Sequence, residues 1–482
     1  MSAWARAPRA RYKRRMSGLP PHVAEALKAA AEPKGWTEDE DTLAPYLTEW
    51  RGRWTGTTPL MLSPATTAEA AKIVAICAEH GVAITPQGGN TGLVGGSTPQ
   101  GEVLVSLRRM KSVRAVDPLN DAMTVEAGVT LAAAQEAAAE ADRLFPLSLA
   151  AEGSATVGGA VSTNAGGVAV LRYGMMRDLV LGIEAVLPDG RIYEGLRTLR
   201  KDNTGYDLKQ AFIGAEGTLG LVTAATLKLF PRPAARAVAF AALDDVDAAV
   251  KLLALAKTES GGAVTGFEIL PRPVLELVLA HFDTARDPLS APHPWYVLIE
   301  MSFGREDGAR ETMEAALAAG VEAGLVRDAA IARSEADAEA FWRLRELAPE
   351  AEKADGKAIK HDVSVPVAAM PALYETGCAA VAAIAPTARV LCFGHVGDGN
   401  FHFNIAPPKP DAGDFWDRQE AITQAVHDAA ASLGGSISAE HGVGVMKKDE
   451  IARRKSAVEM DMMRAIKRAL DPANIMNPRV ML

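Results

Sequence analysis

The chain has 482 residues, 48% of them hydrophobic and 23% charged, with a net charge of −9. That length supports roughly two to four domains with ample buried core. The acidic balance, without a basic face carrying interleaved aromatics, argues against a nucleic-acid binder.

No apolar run reaches about 18 residues, so no transmembrane helix is expected. Cys77, Cys378 and Cys392 are scattered and form neither a CxxC pair nor a disulfide framework, which makes a reducing compartment the default. Arg6, Arg9, Arg11, Lys13, Arg14 and Arg15 precede any acid. Residues 1–16 therefore read as a disordered basic leader, poorer in Ser than a transit peptide usually is, and Met16 is an alternative start. The cytoplasm is the expected location, or the mitochondrion if the leader is a transit peptide.

Residues 21–55 read as a short helical lead-in. Thr66-Thr67-Ala68-Glu69 has capping-box spacing and opens an amphipathic helix through Ala70, Ile73, Val74 and Cys77. A strand at Val82–Thr85 leads into the loop Pro86-Gln87-Gly88-Gly89-Asn90-Thr91-Gly92-Leu93-Val94-Gly95-Gly96. Further strands are expected at Val103–Leu107, Met123–Glu126 and Leu181–Leu187, the last followed by a Pro188-Asp189-Gly190 turn. Two more glycine-rich stretches intervene, Gly153 to Gly167 and Gly214 to Gly220. Glycines let the backbone approach an anion and turn its N–H groups inward. One such loop is as readily a tight turn, but three together point to a large phosphate-bearing cofactor. Neither a Rossmann GxGxxG after a strand nor a P-loop occurs, so the cofactor is not bound as NAD usually is.

Pro231-Arg232-Pro233 marks a boundary. Beyond it strands at Val238–Ala242, Gly266–Ile269 and Trp295–Phe303 alternate with helices at Val246–Lys257, Val274–Phe282 and Glu306–Ala319, the pattern of an α+β layer domain. Val390–Phe393 and Phe401–Ile405 read as strands joined by a two-residue Asp398-Gly399 turn. That register sets His395 opposite His402, with Asn404 on the same face and Phe401 and Phe403 turned into a core. Directly opposed residues stand about 4.5–5.5 Å apart at Cβ, close enough to share a metal. Glu440-His441 adds a carboxylate and a third imidazole, and residues 420–482 read as mostly helical. A lone His is usually a satisfied structural residue, but three of only nine histidines fall in this group. Two His and one Glu suit zinc with an open position.

With the three glycine loops, the GHVGDGNFHFN segment, the EHG segment and the terminal Asn477-Pro478 in order, the chain from about residue 50 resembles the vanillyl-alcohol-oxidase-type (PCMH-type) FAD flavoproteins. It is most similar to the branch that oxidises D-2-hydroxy acids, which includes D-2-hydroxyglutarate dehydrogenase, D-lactate dehydrogenase and the glycolate oxidase flavin subunit. The resemblance implies an α+β architecture: a leader and short helical segment over 1–53, a two-subdomain FAD-binding domain over 54–233, and an antiparallel-sheet substrate domain with flanking helices over 234–482, whose helical C-terminal segment returns to the flavin. FAD contacts are expected from Pro86, Gly88, Gly89, Asn90, Thr91, Gly92, Gly95 and Gly96. Gly153, Ser154, Thr156, Gly158, Gly159, Thr163, Asn164, Gly166 and Gly167 form a second group, and Glu216, Gly217, Gly220, Val222 and Asn477 a third. Covalent members carry His at the position of Asn90, so noncovalent FAD is expected.

The resemblance further implies His395, His402 and Glu440 as ligands of a divalent metal, zinc by expectation. It places His441 and Asn404 beside the reacting carbon, His441 as general base, and Arg345 and Lys360 on substrate carboxylate. Pro349 stands where animal 2-hydroxyglutarate enzymes carry Thr, which leaves D-lactate, D-malate and glycolate as alternatives to D-2-hydroxyglutarate. The expected chemistry is hydride transfer from C2 to flavin, giving a 2-oxo acid. Electrons then pass to an external acceptor, an electron-transfer flavoprotein or a quinone-linked partner, since no second cofactor motif is present. A homodimer is the expected assembly. A non-catalytic flavoprotein subunit of an electron-transfer complex is the alternative of a different class.

Overall fold

The computed structural model describes residues 18–31 and 34–482, so the basic leader lies outside the described residues. The lead-in forms helices Pro21–Ala30 and Glu40–Leu47. Trp36–Thr37, Met61–Leu62, Val103–Ser106 and Ile84–Gln87 make a four-stranded sheet in that order. A second, five-stranded sheet runs Val113–Asp117, Ala122–Glu126, Leu221–Lys228, Val180–Val186 and Ile192–Gly195.

Helix Thr67–His80 begins at the expected cap, where Thr66 Oγ1 accepts the Glu69 N–H at 3.1 Å. The Glu69 carboxylate takes the Ala65 N–H at 2.8 Å, one residue before the position a full capping box would use. The helix closes on Gly81, at φ +62, and the Val82 N–H bonds Cys77 O at 2.8 Å. Val82 is thus spent on the helix end, and the strand expected from Val82 starts at Ile84. It is an edge strand of its sheet, which is where Pro86 is tolerated. Its open side is met by the C-terminal segment: Ile84 N–H bonds Ile475 O and Asn477 N–H bonds Ile84 O, both at 2.8 Å.

The third unit is a seven-stranded antiparallel sheet in the order Asp328–Ile331, Ala235–Leu243, Trp295–Phe303, Val264–Pro271, Arg389–His395, Asn400–Ala406 and Asp362–Ser364. Both faces are covered by helices, so its strands are near-continuous apolar runs. Along Ala235–Leu243, Ala237, Ala239, Ala241 and Leu243 enter one core and Val238, Phe240 and Ala242 the other.

Residues 420–482 are helical over the larger part of their length, as expected, and two other expectations are corrected. Residues 433–447 and 471–482 are loops, separating helices Gln419–Ser432, Lys448–Arg454 and Ala457–Leu470; Gly434, Gly442 and Gly444 take positive φ in the first of them. One window, Val367–Ile384, has mean hydropathy 1.5 over 18 residues, long and apolar enough to cross a membrane by length and composition. Its alanine content hides this from a scan for bulky apolar runs. Helix Met370–Ile384 within it packs Leu373, Gly377 and Val381 on the sheet, where Tyr374 meets Trp295 edge-on at 4.9 Å. The second correction concerns the hairpin. A 3-10 turn at Val396–Asp398 and Gly399 at φ +77 replace the two-residue turn, because Val396 is drawn into the core. His395 therefore pairs with Asn400 and Phe393 with His402. The slip is two residues, so every side chain keeps its face. Phe401 and Phe403 are buried as expected.

Gly394 lets the two strands close: a Cβ there would stand 2.3 Å from Asn400 O. Gly394→Ala is expected to cost about 1–3 kcal/mol, read as a lower denaturant midpoint at unchanged slope.

Candidate active site

His395 and His402 project from one face of the hairpin, with ring centroids 5.5 Å apart and planes at 79°. Glu440 arrives from the 433–447 loop, with Oε1 3.7 Å from His395 Nε2. One ligand atom from each of the three lies within 4.8 Å of the other two. Two imidazoles and a carboxylate within this reach fit a divalent metal of the zinc type, for which three protein ligands leave a fourth position to another group.

Asp362, buried on the strand beside His402, sets the loop that carries Glu440. Its Oδ2 accepts the N–H groups of Glu440 at 2.9 Å and His441 at 3.0 Å, and Oδ1 takes Asn400 Nδ2 at 3.0 Å. His441 Nδ1 lies 3.5 Å from Oδ2, and its ring stacks on His402 with centroids 6.3 Å apart. Glu268 holds the other side: His395 Nδ1 is 2.7 Å from Oε1, and Arg345 Nε donates to Oε2 at 2.8 Å. That contact leaves His395 Nε2 facing the cluster, the carboxylate–histidine arrangement of many metal sites. Glu352 forms a further pole, accepting Lys360 Nζ at 2.8 Å and Asn404 Nδ2 at 3.0 Å on Oε2, while its buried Oε1 has no hydrogen-bond partner among the described residues.

Electrostatics follow from this packing. Burial opposes charge on His395, but Glu268 and Glu440 outweigh it and raise the imidazole to about 9. Burial raises Glu440 to about 7 against the pull of His395. Burial, then His395 and Arg345, hold His402 well below its ordinary value. Burial lowers His441 to about 4 although Asp362 draws it upward, so its ring is neutral near pH 7. Burial would raise Asp362, yet His441, Lys447 and His402 hold it below the usual carboxylate range.

The glycine loops interlock. A Cβ on Gly88 would stand 2.3 Å from Thr156 Oγ1, one on Gly89 2.1 Å from Ser154 O, and one on Gly217 2.3 Å from Pro86 Cγ. Arg108 takes the carbonyls of Gly88 and Gly89 at 3.1 and 2.8 Å, fixing the peptide orientation of the first loop. Gly92 and Gly153 face open space, with nothing within 4 Å of a Cβ position, and that is the room a phosphate-bearing group needs. Thr156 caps the turn that leads to Gly158 and Gly159; Thr163 Oγ1 bonds Gly159 O. Gly167 abuts Ser148 O, and Gly220 packs on Phe212. Gly166 joins the two halves of the site: a Cβ on it would lie 3.4 Å from Glu440 Oε1.

Several expected cofactor residues turn their side chains elsewhere. Asn90, at φ +56, donates to Thr48 O at 3.0 Å and binds the lead-in loop. The Asn164 amide oxygen accepts the Arg177 N–H, and Val222 lies in the core of the five-stranded sheet. Glu216 accepts the N–H groups of Val443 and Gly444 at 2.7 and 2.8 Å, and Asn477 Nδ2 bridges Gly96 O and Glu216 O at 2.9 and 2.8 Å. These two tie the glycine loops to the loop bearing Glu440 and His441. Arg345 and Lys360 lie at the site but are each paired with a buried acid. Sequence reasoning missed Glu268, Glu352 and Asp362. Glu268 had a readable signal, an acid inside the apolar run Val264–Leu270.

Residues 59–195 match the FAD binding domain and 232–481 the C-terminal domain of the FAD linked oxidases, so the chain belongs to that family of flavin-dependent oxidoreductases. Among curated relatives, it is 40% identical to the mitochondrial D-2-hydroxyglutarate dehydrogenase of Arabidopsis thaliana, over 92% of this chain and 78% of the relative. It is 37% identical to D-2-hydroxyglutarate dehydrogenase of Xanthomonas citri pv. viticola, over 95% of this chain and 96% of the relative. The fold is also that of p-cresol methylhydroxylase, at TM-score 0.74 and 18% identity, covering 95% of this chain and 96% of that one.

Glu216→Gln weakens both charge-assisted contacts to the 443–444 backbone. Hydrogen exchange at Val443 and Gly444 should quicken, with a stability loss of about 1.5–3 kcal/mol, read by mass spectrometry and thermal melting.

Proposed function

We propose that this protein oxidises a D-2-hydroxy acid, D-2-hydroxyglutarate first among them, to the 2-oxo acid and passes the electrons to an external acceptor. The observation that carries the reading is the approach of Gly166, in the second cofactor loop, to the Glu440 carboxylate. It brings a flavin loop against a group of metal-ligand type, as dehydrogenation of a chelating hydroxy acid requires. The shared identity with D-2-hydroxyglutarate dehydrogenases over nearly the whole chain supports the choice of acid.

In this reading the 54–233 unit holds FAD noncovalently, Asn90 standing in place of a flavin-bonding His. Bound there, FAD supplies a hydride acceptor. His395, His402 and Glu440 would hold zinc, which supplies Lewis-acid polarisation of the substrate oxygens. The remaining work falls to this chain's own groups. Asp362 faces His441 Nδ1 and so keeps the proton on that nitrogen, leaving Nε2 to accept the substrate hydroxyl proton. His441 is neutral and available for this, because burial disfavours its charged form. Asn404 and Lys360, fixed by Glu352, and Arg345, fixed by Glu268, orient the substrate carboxylate beside the reacting carbon. Pro349 occupies the first turn of helix Ala348–Asp355, a position that favours proline, and offers the substrate no hydroxyl. The names of the plant and bovine relatives carry the word mitochondrial, which fits a basic leader acting as a transit peptide.

Anaerobic flavin bleaching across D and L forms of 2-hydroxyglutarate, malate and lactate, with glycolate, tests the reading. D-2-Hydroxyglutarate should bleach fastest, and no bleaching with any acid would refute it. His441→Ala should lower turnover by about 10²–10⁴-fold while the purified protein stays yellow. Chelation should abolish activity and zinc restore it; Glu268→Gln should weaken metal binding by about 10–100-fold, measured by competition with a zinc-sensitive dye.

A further inference from the structure

The two cations assigned to substrate carboxylate are each compensated: Arg345 by Glu268 and Lys360 by Glu352. A second carboxylate on the substrate therefore meets no uncompensated charge from either. Arg51 supplies one. It is half-buried, and its guanidinium has no hydrogen bond or ion pair among the described residues. Its positive charge is felt at both Glu352 and His441.

The loop that carries Arg51 is built to hold position. The Glu49 carboxylate, itself buried, accepts the N–H groups of Arg51 and Arg53 at 2.7 and 2.6 Å. Thr48 O takes the Asn90 amide at 3.0 Å, which fixes one end of the loop to the first cofactor loop. At the other end Trp54 packs against Gly95, its Cδ1 2.7 Å from where a Cβ would stand. Trp50 carries Arg51 on its ring at 5.0 Å and Lys353 at 5.6 Å, joining the loop to helix Ala348–Asp355 beside Glu352. The loop backbone is thus pinned between the first glycine loop and the helix bearing Glu352, and the guanidinium rests on the Trp50 ring, which lowers the ordering cost a ligand must meet.

We propose that Arg51 is a specificity-determining residue, receiving the second carboxylate of a dicarboxylic 2-hydroxy acid and setting preference for diacids over monoacids. The proposal rests on the functional reading above and narrows its substrate class. A planar guanidinium matches a carboxylate bidentately, and a desolvated carboxylate is costly without such a partner.

The test uses FAD-loaded protein and the flavin difference spectrum, titrated with 2-oxoglutarate and with pyruvate. Wild type should bind 2-oxoglutarate more tightly. Arg51→Met should reduce the ratio of the two affinities by about 30-fold or more, and Arg51→Lys should keep part of it. Arg51→Gln serves if the Met variant loses flavin. A ratio unchanged in the neutral variants, or absent in wild type, overturns the proposal. Because binding is read without turnover, this result is separate from the bleaching test: bleaching with no acid refutes the reaction, whereas bleaching with an unchanged ratio refutes Arg51 alone.

Discussion

A single buried carboxylate organises the site. Asp362 accepts two consecutive backbone N–H groups from Glu440 and His441, and the amide of Asn400 at the hairpin end. The 433–447 segment has no regular structure to hold it, so these bonds decide where Glu440 and His441 stand. A charged acceptor shared by several donors is among the stronger interactions available in a protein interior. Its own burial is tolerable because Lys447 supplies an opposite charge and three N–H donors satisfy its oxygens.

The same device recurs at each seam. Glu216 grips the backbone two residues beyond His441, Glu268 orients His395, and Glu352 gathers Lys360 and Asn404. Each acid lies on a different element, and each fixes groups brought from elsewhere in the sequence. The chemistry-bearing side chains are therefore positioned from behind by acids that need not touch the substrate. Such a shell limits how far a ligand can drift.

Much of this was legible in the sequence. Trp295–Phe303 was read to the residue because an apolar run sits between Pro294 and Gly304. The hairpin faces were read correctly although the turn was not, since alternation survives a slip of two. The three glycine loops announced a phosphate-bearing cofactor through composition alone. The buried acids were not legible, because an Asp or Glu reads as solvated until its tertiary neighbours are known. The amide of Asn90 belongs to the same class: nothing in its loop indicates that it binds the backbone at Thr48.

Asn477 reaches Gly96 across 381 positions of the chain, and the strand at Ile84 takes its outer hydrogen bonds from Ile475 and Asn477. Contacts of such separation are late events in folding, since chain entropy must first be given up over the whole intervening length. Closure of this cradle of glycine loops therefore waits on the C-terminal segment. A fragment ending near residue 233 would contain every glycine of the cradle and still lack the strap that closes it, so cofactor retention reports on completion of the entire fold.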